Sequence, residues 1–67
     1  MILDARGFSC PEPMMMIKNA LKTEKKLTML LDTKGAAENC ESYAKREGFD
    51  VVKTAEDGEW KLEISKA

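Results

Sequence analysis

The sequence contains no histidine. That removes Cys-His and Ser-His-Asp catalytic pairs and every histidine metal site. Cysteine is nearly as scarce: Cys10 and Cys40 are the two present, far apart and with no C-x-x-C spacing. Such a pair supports neither a disulfide-rich scaffold nor a metal-ligand set. No apolar run approaches membrane-spanning length and nothing at the start has the features of a signal peptide, so the cytoplasm is the expected compartment. A basic excess is also missing, since the net charge is −1. Nucleic acid is therefore not expected as the main partner.

What is present fits one domain over residues 1–67. A chain of this size buries only about 60% of the surface its unfolded form exposes, so its core must be economical. Hydrophobic residues make up 43% of it, enough to build that core, and charged residues at 34% cover the outside.

The run of residues 1–4 (MILD) predicts a first strand before a Gly-containing loop. A first helix follows, with Cys10 expected at its N-cap and Pro11 at its first position, where a missing N–H costs little. Met14, Ile17 and Leu21, flanked by Met16 and Ala20, form its core-facing stripe. Residues 27–31 (LTMLL) predict a buried strand. Asp32 and Thr33 are candidate N-caps for a second helix over 36–47, ended by Gly48. Its apolar face combines Ala36, Cys40, Tyr43 and Ala44. The β-branched Val51 and Val52 predict a strand over 49–54. The tetrad EDGE (56–59) predicts a hairpin turn into a last strand over 60–64, with Trp60, Leu62 and Ile64 inward. The order β-α-β-α-β-β implies an α+β fold: a two-layer sandwich with two helices on one face of a four-stranded mixed sheet, the other face partly wet.

Both prolines of the chain fall in one stretch, FSCPEPMMM (8–16). Each proline locks φ near −65° and removes a backbone donor, so the helix start is stiff and holds few N–H groups. A thiolate there faces the positive end of the helix dipole, worth ~0.3–1 kcal/mol. The dipole alone brings a thiol from ~8.5 to ~7–8. Glu12 opposes this by charge repulsion, and Arg6 offsets Glu12 if the fold brings it near. The expectation is a moderately activated thiol, suited to accepting a sulfur atom and releasing it again. The competing bland reading is a buried, merely structural Cys10. Ser9, the loop position and the prolines favour exposure. Cys40, in the middle of an apolar helix face, is expected to be core.

Met15 falls opposite the core stripe, with Lys18, Asn19 and Lys22. This predicts a docking surface beside the thiol, with an adaptable Met15 and lysines steering an acidic partner.

The segment LDARGFSCPEP resembles the signature of the TusA/SirA-like sulfur-carrier family, in which Asp-x-x-Gly-x-x-Cys-Pro-x-Pro links a strand to a helix. Asp4, Gly7, Cys10, Pro11 and Pro13 fill that pattern, and Glu12, Met15 and Met16 also look typical. ENCESYAKREGFDV is similar to the branch that includes the N-terminal domain of the selenium-associated YedF proteins. The resemblance covers the whole chain and implies the same two-layer fold. It further implies a persulfide carrier: a cysteine desulfurase passes sulfane sulfur to Cys10, which hands it to a downstream acceptor protein. Destinations in relatives include tRNA thiolation, cofactor assembly, sulfur oxidation and selenium handling. The carrier itself is implied to need no metal or cofactor, because the desulfurase holds the pyridoxal phosphate. Two positions depart from the family pattern: Cys40 stands where an aliphatic residue is common, and Thr33-Lys34-Gly35 replaces a proline-bearing helix start.

Three rivals remain open on the residues. A regulatory or RNA-binding module of the same fold would use Lys18, Lys22, Lys25 and Lys26, although Phe49 and Trp60 look like core instead of base-stacking surface. A thiol redox protein would need Cys40 to leave the core. A plain interaction domain would leave Cys10 structural.

Overall fold

The computed structural model describes residues 1–9 and 11–67. Four strands and two helices alternate as expected: β1 (Ile2–Asp4), α1 (Glu12–Ala20), β2 (Lys26–Leu31), α2 (Lys34–Arg46), β3 (Phe49–Glu56) and β4 (Glu59–Lys66). The sheet order is β1-β2-β4-β3, with β1 parallel to β2 and the other pairings antiparallel. The mixed sheet with both helices on one face is therefore observed.

Alternation along the strands decides which face meets the helices. Leu27, Met29 and Leu31 of β2 and Leu62 and Ile64 of β4 are buried, and their register partners continue the layer through Leu3 and Val51. From the helices, Ile17 and Ala20 of α1 and Ala36, Ala37, Cys40 and Ala44 of α2 close the core. Cys40 has no exposed surface, as its position on the wheel required. Phe49 is buried and Trp60 packs against the core at its margin. The opposite sheet face is open: Ile2 is 72% exposed and Val52 59%.

Two boundaries differ from the sequence reading for local reasons. The hairpin strands run longer, eight residues each, because the loop between them is only Asp57-Gly58. Both residues have positive φ (52° and 76°), as in the two-residue turn whose twist matches that of antiparallel strands. The second helix starts at Lys34, two residues earlier than expected. Thr33 is its N-cap, and the Ala36 N–H donates to Thr33 Oγ1 at 3.4 Å. Glu47 is the C-cap and Gly48 follows it, as anticipated. On the edge strand β3, Lys53 points toward the helix layer and pairs with Glu41 of α2 at 3.0 Å; Glu41 also meets Lys45 at 3.1 Å.

Candidate functional site

The strand directions place one set of loops at one end of the sheet. β1 and β2 run parallel with Asp4 beside Leu30, so the chain leaving β1 emerges next to the end of β2 and the start of β4. The Ala5 N–H donates to the Leu30 carbonyl at 2.8 Å, and the Ala5 methyl is fully buried. The chain then turns at once, with the Phe8 N–H donating to the Ala5 carbonyl at 3.3 Å. Gly7 occupies the third position of this turn at φ +86°, which an L side chain resists and glycine adopts freely. The glycine of the Asp-x-x-Gly segment is thus required by the turn that reverses the chain.

Asp4 explains the other fixed position. Its Oδ1 accepts from the Arg6 backbone N–H (3.0 Å) and from Arg6 Nε (2.9 Å), while Oδ2 accepts from Nη2 at 2.9 Å. The Arg6 side-chain hydrogen bonds hold the Asp4 carboxyl down at about 2, against an ordinary 3.8, and the carboxylate in turn pushes the Arg6 guanidinium up. Arg6 Nη1 also reaches Glu59 Oε1 at 3.4 Å across the sheet end. The positive charge of Arg6 is therefore directed at Asp4 and Glu59, and Arg6 forms no ion pair with Glu12.

A second carboxylate enters from β2. The Gly7 N–H donates to Asp32 Oδ2 at 2.8 Å. Asp32, expected as a possible helix cap, instead binds the loop of the motif, leaving the cap to Thr33.

The entry to α1 corrects the expected position of its cap. Pro11, not Cys10, is the N-cap, at φ −96° and ψ 12°, and Glu12 is the first helical residue. The two prolines shift the start: Pro13 lacks the N–H that would reach back to Ser9, and the Glu12 N–H makes that bond in a tighter turn at 3.1 Å. The Met15 N–H then donates to the Pro11 carbonyl at 3.1 Å, the first i to i−4 bond of the helix among the described residues. The Glu12 N–H, expected to be available to a thiolate, is thus engaged with Ser9. Cys10 itself, and its expected place at the positive end of the helix, lie outside the described residues.

The two prolines differ in setting. Pro11 is exposed, whereas Pro13 is among the largest fully buried side chains. Around the motif two large apolar side chains face solvent, Phe8 at 46% and Met15 at 59%. The expected docking residues separate along α1. Met15 lies one turn from its start. Lys18 turns toward α2, its Nζ 5.7 Å from the Tyr43 ring centre, on a ring that Arg46 also approaches at 5.8 Å. Lys22 lies past the far end, about 15 Å along the axis from Glu12. The fold thus gathers Asp4, Arg6, Gly7, Pro11, Glu12, Pro13 and Met15 at one end, and carries Lys18 and Lys22 away from it. Among the described residues, no cluster of acidic or cysteine side chains is arranged to hold a metal ion.

The family model for sulfurtransferase TusA matches residues 1–66. The chain belongs to the TusA family. Among solved structures, it is similar to the SirA-like protein from Desulfitobacterium hafniense, with a TM-score of 0.84, 27% identity and 100% of both chains covered. No curated protein matches it. The family membership supports a sulfur-carrier role and a protein partner in general. Among the described residues, no helix of this TusA-family chain is long and apolar enough to cross a membrane.

Sequence reasoning missed two members of this end of the molecule, Asp32 and Glu59, and the burial of a third, Pro13. Asp32 was readable only as a cap, and Glu59 only as turn residue, because neither contact is visible until the strand order is known. Pro13 was read as a stiffener, and its burial follows from its place one helical turn before Ile17 on the same stripe.

Proposed function

We propose that residues 1–67 act as a single cytoplasmic carrier domain in which Cys10 bears sulfane sulfur as a persulfide. A cysteine desulfurase is the donor, and a second protein in a thiolation, cofactor-assembly or sulfur or selenium pathway is the acceptor. The observation that carries this reading is the TusA match over residues 1–66, and the Asp4-to-Pro13 segment within it resembles the family's cysteine signature.

The chemistry asks little of the carrier. The Cys10 thiolate attacks the outer sulfur of the donor's persulfide, the donor's S–S bond breaks, and the donor cysteine leaves as a thiolate. A new S–S bond now sits on Cys10, with no net oxidation, no metal and no general base. The same exchange in the acceptor's direction discharges it. A chain without histidine is adequate to this task.

What the protein must supply is presentation. Asp4, Gly7 and the proline pair support the loop, the former through the Arg6 clasp and the tight turn, the latter through a stiff helix start. Met15 and Phe8 offer apolar contact to a partner that approaches this end. Arg6 acts within the loop, held by Asp4 and Glu59, and Lys18 and Lys22 contribute at most a peripheral charge to docking.

The test is the intact mass of the chain after incubation with a cysteine desulfurase and cysteine, for the native protein and for Cys10→Ser. Addition of sulfur that a reductant removes, and that the variant does not acquire, is the expected result. Addition that persists in Cys10→Ser would transfer the role to Cys40. No addition with several desulfurases, alongside RNA binding that charge reversal at Lys22 abolishes, would favour the regulatory module.

A further inference from the structure

We infer that Asp32 is a positioning residue for the sulfur-bearing loop. The proposal rests on the reading that Cys10 carries the sulfur, and it extends the site beyond the Asp4-to-Pro13 segment to a side chain 25 positions after Gly7.

Of the described residues between β1 and Pro11, Ala5 is fixed to Leu30, Arg6 bonds back to Asp4 at the end of β1, and Phe8 bonds to Ala5 within the loop. Besides the Glu12 N–H to Ser9 carbonyl bond at the entry to α1, two contacts reach from residues 6–9 to elements beyond β1. Both are exposed, and one is the longer Arg6–Glu59 pair at 3.4 Å. The other is the Gly7 N–H to Asp32 Oδ2 bond at 2.8 Å, short and charge-assisted. A charge-assisted bond to a backbone N–H is directional as well as strong, so it restrains where the turn points.

Its location gives that restraint a purpose. Gly7 has no side chain to pack and the freest backbone of any residue, and it stands three positions before the thiol. Left unanchored, the turn would act as a hinge. Asp32, an exposed residue just past the end of β2, closes the hinge from the end of a central strand buried against the helices. Asp32 is also free of the duty that its position before α2 suggests, because Thr33 caps that helix.

A loop held in place matters to a reaction between two proteins more than to one with a small reagent. The sulfur on the donor must meet Cys10 along the S–S axis, and small misplacements at a reacting centre cost heavily in rate. Loss of the Asp32 bond should therefore lower the turnover of loading and leave docking, and so KM, nearly unchanged.

Three variants separate positioning from mere stability. Asp32→Ala removes the acceptor, Asp32→Asn keeps an acceptor oxygen without the charge, and Thr33→Ala weakens the α2 cap while sparing the loop. The expected result is a fall of roughly tenfold in kcat for loading by a cysteine desulfurase in Asp32→Ala. Asp32→Asn should recover most of it, and Thr33→Ala should load at the native rate despite a lower Tm. Amide exchange at Gly7, read by NMR without any sulfur chemistry, should quicken in Asp32→Ala and not in Thr33→Ala. Unchanged Gly7 exchange in Asp32→Ala would overturn the assignment, as would Asp32→Asn behaving like the alanine variant or Thr33→Ala slowing loading as much. If the native chain takes up no sulfur at all, the carrier reading fails, while the exchange data still decide whether Asp32 holds the loop.

Discussion

Asp4 shows how a single motif residue earns its place without touching sulfur. Its carboxylate binds the backbone and guanidinium of Arg6 together, and these bonds keep it ionised down to about 2. A carboxyl depressed in the folded state contributes stability that is complete above its ordinary 3.8 and is lost as the pH falls toward 2. The stability of the native chain should therefore fall across this window, and the stability of Asp4→Asn should change less over the same range; parallel acid-unfolding curves would show that the clasp has no such role. Cys40 is the contrasting residue. Fully buried in α2, it should resist a thiol reagent in folded Cys10→Ser and react once the chain is denatured. Cys40→Ala should lose about 1 kcal/mol in denaturant unfolding while loading with sulfur at the native rate. The burial of Cys40 was legible in the sequence, because helical periodicity puts it between Ala36 and Ala44. The partners of Arg6 and Gly7 were not. Asp32 and Glu59 become neighbours of the motif only through the parallel pairing of β1 with β2 and the insertion of β4 beside it.

At the scale of the element, α1 repays attention at its start. Six elements in the right order, their types and most of their inward faces could be read from periodicity. The first residue of α1 could not, because the usual preference for proline at the first helical position competes with a second proline two residues later. The structure resolves the conflict by making Pro11 the cap and burying Pro13 in the core. The two prolines should then respond differently to replacement. Pro13→Ala loses buried ring carbons and gains unfolded-state freedom, a cost of about 2 kcal/mol. For a domain of this size that lowers Tm by roughly 8–16 °C. Pro11→Ala, at an exposed cap, should shift Tm much less and slow sulfur loading more. A calorimetric scan of both variants with a loading assay checks the pair, and equal shifts in Tm would contradict the difference in burial.

Over the whole molecule, the net charge of −1 conceals a separation of sign. The end that carries the motif loop holds Asp4, Glu12, Asp32, Glu56, Asp57 and Glu59 against Arg6 and Lys34. The other end gathers Lys22, Lys25, Lys26, Lys45, Arg46 and Lys66 against Glu24, Glu47 and Asp50, so the excess there is basic. Composition alone could not reveal this, since charges distant in sequence meet only after the strands fold back. Docking at the motif end should accordingly depend on its apolar contacts. Met15→Asp should lower the rate of loading by a cysteine desulfurase more than tenfold, whereas Lys22→Glu should change it by less than about twofold. Stopped-flow loading at two salt concentrations distinguishes them, and the reverse order would return the lysines to the interface.

β1 has a consequence for how the molecule comes into being. It is three residues long, lies at the sheet edge, and pairs only with β2, which begins at Lys26. The hairpin of β3 and β4 closes locally, but β1 must wait for a strand more than twenty residues downstream, and non-local pairings form late. Arg6 also finds Glu59, 53 positions further on. During synthesis, then, the segment that bears the motif is made before Asp32, β2 and Glu59, and is secured only after them. The thiol is thus made well before Asp32 and Glu59, the distant side chains that will hold its loop.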